Sequence, residues 1–372
     1  MKKHKENRFR SGGKFFSHSE SGTATVIGAV LLLGIIFSVL TILWVECVPE
    51  WKNDAEYSHM DDIWEDMAEL KSRIDVMSIL LASNSYSSAL QAMYSNSSLI
   101  NDMYSNSSPI NPLYSKLVTS VSFRMGGGDI PYIGSMKSSG TLAVNKGKCV
   151  MSIIVNPDTV PKVKSFDCGT ITYTSQNSHY VDQVFSYENG AVILDQEDQS
   201  VMMLYPSIHF SNISTSGHHE YNVSINTISV CQDPHAPIEI ISSNSEGSLR
   251  LAGINYKSVF DSENGSLVYS SNGNNKNQEL VGVDKFILII TSNYPDAWMQ
   301  YFNNTMNDSK IGSEKYIVER LTGNNVRFTF TLTPEASNGN GNSGNGNNAN
   351  SDILNLYVSE TEIKAEPGIG LI

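Results

Sequence analysis

Several groups of side chains in this sequence have types and spacings that could support chemistry. His218-His219-Glu220 offers two imidazoles and a carboxylate, which are zinc-ligand types. No further histidine follows four residues on and no cysteine is near, so the triplet reads as a solvated loop. Gly339-x-Gly341-x-x-Gly344 has the spacing of a dinucleotide-binding turn, but it lies inside the tract EASNGNGNSGNGNNANS. With no strand before it and no helix after, the match is compositional. Asp195-Gln196-Glu197-Asp198 and Asp261-Ser262-Glu263-Asn264-Gly265 are acidic turns of the kind that bind calcium, yet neither has the ligand pattern of a calcium loop. Ordinary turn chemistry accounts for both. Cys149, Cys168 and Cys231 lie downstream of Cys47 without the paired short spacings of a zinc or redox site; a Cys149–Cys168 bridge is one option left open. No Gly-x-Ser-x-Gly elbow occurs. The expectation is a protein that is not an enzyme, with no catalytic residue, cofactor or metal assigned. Modification is the chemistry that remains. Asn-x-Ser/Thr sequons stand at Asn96, Asn106, Asn212, Asn222, Asn264, Asn303 and Asn307, acceptors for glycan on an exported domain.

The element that would place such a domain outside a cell is near the start of the chain. Val26 to Val45 reads VIGAVLLLGIIFSVLTILWV, without a charge and with only Ser38 and Thr41 polar. A helix of that length covers about 30 Å, the thickness of a bilayer's hydrocarbon core. Trp44 stands at one end, where an amphipathic ring suits the interface. The chain carries 25 Lys and Arg against 38 Asp and Glu, a net charge of −13. Six basic and two acidic side chains fall in residues 1–22, leaving 19 basic and 36 acidic after Gly22, a net of −17. This distribution puts residues 1–22 in the cytoplasm and the remainder outside, with membrane lipid as the first partner. The overall acidity argues against a nucleic-acid partner. A cleaved secretory signal fits poorly, because the apolar run is too long and no small-x-small site follows it.

The residues Ser21-Gly22-Thr23-Ala24-Thr25-Val26-Ile27-Gly28, with the Leu/Ile-rich run behind them, resemble the class III signal of archaeal type IV pilins and archaellins. That resemblance implies a basic leader cut between Gly22 and Thr23 by a prepilin peptidase. The apolar helix is then retained as an anchor or as the core of a filament. Thr25 departs from the Pro or Glu common at that place. The resemblance covers about 60 to 70 residues, less than a fifth of the chain, and the remaining 300 residues look similar to large archaeal surface proteins that share this N-terminus.

Beyond Pro49, Met60, Ile63, Met67, Leu70, Ile74, Met77 and Leu81 recur in steps of three and four. That spacing predicts an amphipathic helix, with Asp61, Asp62, Glu65, Asp66 and Glu69 on its other faces. Pro49 is expected to kink the helix rather than end it. The apolar stripe packs either on the protein's own sheet or on another copy. A ten-residue repeat follows, Met93-Tyr94-Ser95-Asn96-Ser97-Ser98 and then Met103-Tyr104-Ser105-Asn106-Ser107-Ser108, read as a surface connector.

From residue 118 short runs rich in β-branched and aromatic residues alternate with Gly, Asn, Ser and Pro, for example Tyr221–Cys231, Lys285–Thr291 and Val326–Thr333. One helix is expected from Pro295, with Trp298 and Phe302 on one face. Ile353–Ile363 is expected to form a hairpin with the preceding strand around a disordered loop, 335–351. The predicted fold class is α+β: a long N-terminal helix, transmembrane and continuing outward, then a mainly antiparallel, sandwich-like β-rich ectodomain. The predicted segments are a leader (1–22), a transmembrane helix (23–46), an amphipathic helix and connector (47–117) and the β domain (118–372). The functional expectation is a structural or adhesive surface protein anchored by a pilin-like helix. Its rival is an exported ligand- or polysaccharide-binding module on the same anchor.

Overall fold

A computed structural model describes residues 21–95, 117–127, 138–159, 161–197, 199–215, 218–230, 237–262, 266–267, 282–332 and 352–369. The chain divides into two compact units, Met1–Lys52 and Asn53–Ile372. In the first, α1 (Ser21–Ile42) leads into a π-helical turn, Leu43–Cys47, and then into α2 (Val48–Ser95). Every side chain described from Ala24 to Glu46 is exposed. The two hydroxyls in the apolar run are satisfied within the helix. Ser38 Oγ donates to the Gly34 carbonyl and Thr41 Oγ1 to that of Phe37, each at 2.8 Å. A helix in hydrocarbon needs such internal bonds, since no water is there to supply them. Pro49 is preceded by the π turn, in which the Val48 N–H reaches back to the Leu43 carbonyl. Widening the helix by one residue per turn is a usual accommodation where a proline interrupts the backbone ladder.

Among the described residues the second unit holds most of α2 and seventeen strands. In chain order they begin with β1 (Val118–Arg124), β2 (Ser139–Val144), β3 (Val150–Val155), β4 (Lys162–Asp167), β5 (Ile171–Gln176) and β6 (Val184–Glu188). Next come β7 (Ala191–Gln196), β8 (Gln199–Leu204), β9 (Ile208–Thr215), β10 (His218–Ser229), β11 (Glu239–Ser243) and β12 (Glu246–Asp261). The remainder are β13 (Ser266–Leu267), β14 (Lys285–Thr291), α3 (Pro295–Asp308), β15 (Tyr316–Leu321), β16 (Asn325–Thr331) and β17 (Ile353–Ile369).

They form three sheets. The central one runs β1-β12-β17-β10-β9, with β13 paired to β12. A second runs β11-β2-β5-β6-β7-β8, and a third runs β15-β16-β14-β3-β4. The pairing is antiparallel except between β10 and β17, which are parallel. The fold is thus α+β, with a sandwich-like β-rich region after one long apolar helix. β17 does not form the expected hairpin with β16. It crosses to the central sheet, where β10 and β12 give it two full ladders, more than a single edge partner would.

Two apolar cores use the central sheet from opposite sides. Alternate residues of a strand face opposite sides of a sheet. On β10, Tyr221, Val223 and Ile225 enter the first core, beside β3, β14, β16 and α3, while Ile228, and Val230 just after the strand, enter the second. On β17, Leu354, Leu356 and Val358 belong to the first core, and Ile363 and Ala365 to the second. A strand buried on one face at one end and on the other at its far end loses its simple alternation where the faces change. Ile228, of the parity that faces outward earlier in β10, is fully buried for this reason.

The second core is closed by α2. Met60, Ile63, Met67, Leu70, Ile74 and Met77 are all buried against Phe123, Leu142, Tyr173, Leu249 and Ile363 among others. The stripe therefore packs on the protein's own sheets. α3 closes the first core with Trp298, Tyr301, Phe302 and Met306, Phe302 stacking on Phe328 at 4.7 Å.

Candidate functional site

Three features of the molecule bear on function: the apolar helix, the attachment of α2 to the sheets, and the surface the sheets present. Among the described residues one helix, Ala24–Ser85, begins with an apolar stretch long enough to cross a membrane. Gly22 and Thr23 lie in the first turn of α1, and the leader before Ser21 is outside the described residues. The loop 335–351, the asparagines Asn96, Asn106 and Asn264, and Cys231 also lie outside them.

α2 is held by more than its apolar stripe. The Glu56 carboxylate is buried and accepts the backbone N–H groups of Ser178 (2.9 Å), His179 (2.7 Å) and Tyr180 (2.7 Å). Three successive amides converging on one carboxylate form an anion nest, and the charge makes each bond stronger than a neutral one. Tyr57 packs edge-on to Tyr180, and Trp64 stacks on Phe185. Further along, the Arg124 guanidinium of β1 reaches Asp62, Glu65 and Asp66, with Asp66 at 2.8 Å. These contacts hold the guanidinium charged, the Asp66 hydrogen bond most of all. Asp66, expected on a solvent face, is instead buried, because Arg124 supplies both its side chain and its backbone N–H. Beyond this, Ser78 Oγ sits 2.8 Å from Thr361 Oγ1 and accepts Asn226 Nδ2 at 2.9 Å. On its other side α2 keeps Val76, Ile79 and Leu80 exposed.

The candidate ligand groups do not converge. His219 Nδ1 lies 3.0 Å from Asn212 Oδ1, and its ring stacks on Tyr221. Glu220, the next residue of β10, faces the other way and accepts Asn355 Nδ2 at 2.9 Å. The pair is therefore split across a strand rather than lying in a loop. Asp195 lies on β7, paired with Ser200 of β8, next to the hairpin turn where Glu197 takes a positive φ of 49°. Among the described residues no group of three His, Cys, Asp or Glu side chains is placed to hold a metal ion.

Four sequon asparagines are placed. Asn303 and Asn307 are exposed on α3, one turn apart. Asn212 is half-buried, its amide donating to the Lys310 carbonyl at 3.1 Å. Asn222 is half-buried too and accepts Asn355 Nδ2 at 2.8 Å. Asn222 also borders a shallow groove of about 330 Å³ on the uncovered face of the central sheet, with His209, Ser211, Ser224, Asn355 and Tyr357. The Tyr357 hydroxyl is engaged by that of Tyr256 at 2.5 Å.

One buried ionisable group had no signal in the sequence. Glu188 closes the β6–β7 hairpin in Tyr-Glu-Asn-Gly, where Asn189 and Gly190 both take positive φ, as a two-residue turn requires. Such a glutamate reads as exposed. It is fully buried instead, under the N-terminal turn of α3, and Oε2 accepts Ser292 Oγ at 2.5 Å and Trp298 Nε1 at 3.3 Å. Oε1 has no hydrogen-bond partner among the described residues. Burial pushes this carboxyl up to about 7, against the pull of the two donors. Comparison with known proteins adds no identity: no protein-family model, no curated protein and no solved structure matches this chain.

Proposed function

We propose that this chain is a single-pass membrane protein of the cell surface, with residues 1–22 cytoplasmic and the β-rich unit outside, serving a structural or adhesive role. The observation that carries the reading is the apolar helix itself. Every side chain described along it is exposed, its two hydroxyls are satisfied internally, and no charge interrupts it. In water such a surface would be a large exposed apolar patch; in a bilayer it is matched by its solvent. The sign of the flanking charges supports the orientation. On the pilin-like reading, a prepilin peptidase removes the leader at Gly22–Thr23.

The rival, a polysaccharide-binding module, calls for exposed aromatic platforms. The groove on the central sheet offers Tyr357 and the His209 imidazole, while most of the described large aromatics are in the cores. Within it Asn222 and Asn355 are bonded to each other and the Tyr357 hydroxyl to Tyr256, which favours the structural role. Mass spectrometry of the protein from native membranes, with protease added to intact cells, tests the proposal. The expected result is a mature N-terminus at Thr23 and cleavage of residues 53–372 by the external protease. An intact Met1 end would remove the pilin-like processing, and full protection of the β-rich unit would refute the surface reading.

A further inference from the structure

β3 and β4 are antiparallel neighbours, with Val150 opposite Asp167 and Met151 opposite Phe166. Continuing that register by one step sets Cys149 directly opposite Cys168, and the Cys168 N–H donates to the Cys149 carbonyl at 2.9 Å. Both side chains belong to the first core, on the face shared by Met151 and Phe166, at 1% and 0% exposure. Facing residues joined by such a bond have Cα atoms about 5.5 Å apart. A disulfide spans Cα separations of about 4.4–6.8 Å, so the bridge fits with little movement of either strand. The Cys149 thiol is pushed up, first by its hydrogen bond with Cys168 and then by burial, so in the folded protein it is held as an unreactive thiol.

We infer that Cys149 and Cys168 are a disulfide site, oxidised while the chain folds and before the first core closes over them. The inference rests on the proposed external location, because thiols persist in a reducing cytosol. The chemistry is thiol–disulfide exchange with a protein or small-molecule disulfide. One cysteine thiolate attacks the carrier's disulfide, forming a mixed disulfide and releasing a carrier thiolate. The second cysteine then displaces the other carrier sulfur. The chain's two thiols lose two electrons and two protons, and the carrier disulfide leaves as two thiols. The bridge would join the ends of the β3–β4 hairpin at the point where Val230, next in sequence to Cys231, donates its N–H to the Cys168 carbonyl at 2.9 Å.

The test maps thiols on the full chain from native membranes, denatured and alkylated with N-ethylmaleimide before and after reduction. In parallel, protease added to intact cells reports the side on which the β-rich unit lies. The expected result is a linked pair of peptides containing Cys149 and Cys168, which take up the reagent only after reduction. Dithiothreitol should then lower the melting temperature by about 5 °C in the wild type and leave a C149A/C168A variant unchanged. Free Cys149 and Cys168 in protein that the protease shows to be external would overturn the inference while leaving the proposed location intact. A bridge from either residue to Cys231 would overturn it too. Free thiols in protein shielded from the protease would remove the inference together with the surface reading.

Discussion

Replacing Glu188 by glutamine tests whether a buried carboxyl between the second sheet and α3 sets the pH response of the fold. The carboxyl is raised from an ordinary 4.5 to about 7, mainly by burial. In the window between those values the folded protein binds a proton that the unfolded chain has released. Stability is therefore greatest below about 4.5 and falls as pH rises through about 7, the reverse of a carboxylate held low by a cation. A difference of about 2.5 units at about 1.4 kcal/mol each makes the full loss about 3.5 kcal/mol. The group is fully buried, so screening by solvent does not reduce that figure much.

Glutamine keeps the size and the acceptor for Ser292 and Trp298 but removes the titration. Its amide nitrogen takes the place of Oε1, which has no partner, at a cost of about 1–3 kcal/mol that does not depend on pH. Absolute stability at any one pH therefore decides nothing, whereas the slope does. Denaturant midpoints of the detergent-solubilised full chain should fall between pH 5 and pH 8 for the wild type, and less steeply for E188Q. The Tyr294 phenol also feels the Glu188 charge, but it is held neutral across this range. Parallel wild-type and E188Q curves would refute the assignment of the pH response to Glu188.

Leu70→Asp should lower the melting temperature sharply, since a buried leucine contributes about 1.5–3 kcal/mol by transfer and an unpaired buried carboxylate costs more. An unchanged thermal melt by circular dichroism, with loss of an oligomer in ultracentrifugation, would show that the stripe serves self-association instead. Glu56→Ala leaves the amides of Ser178, His179 and Tyr180 without their acceptor, so hydrogen exchange there should speed up while the rest of the second sheet keeps its protection. Glycopeptide mapping should find sugar on the exposed Asn303 and Asn307 and leave Asn212, whose amide is engaged with Lys310, bare.

Much of this architecture is legible in local pattern. Lys285–Thr291 is β14 to the residue, and Pro295 opens α3 with Trp298 and Phe302 in the core, because propensity, period and burial all agree there. The apolar steps from Met60 to Met77 gave the buried face of α2 but left its partner open, since a helix stripe has the same spacing whether it meets a sheet or a second copy. His218–Glu220, read as a loop, instead opens β10, and the other failures are long-range. Nothing near Ile353 says that β17 will leave β16 for β10 and β12. Asp66 and Glu56 look like solvated helix charges until Arg124 and the amides at 178–180 are brought against them. Glu188 stands in turn sequence, and only the position of α3 buries it.

The polar contacts along α2 fix where it sits on the sheets. A helix that packs only by an apolar stripe can slide or rotate against a sheet at modest cost, because dispersion contacts are not directional. Here the Glu56 nest, the Asp66–Arg124 pair and the Ser78–Asn226–Thr361 cluster each demand a particular azimuth and a particular height. Displacing the helix by one residue would strip a buried carboxylate of its donors at two of these places, and such losses cost several kcal/mol each. The helix that follows the apolar segment in sequence is thus fixed in register with the sheets. A register fixed at three polar points resists sliding or rotation of α2 over the sheets.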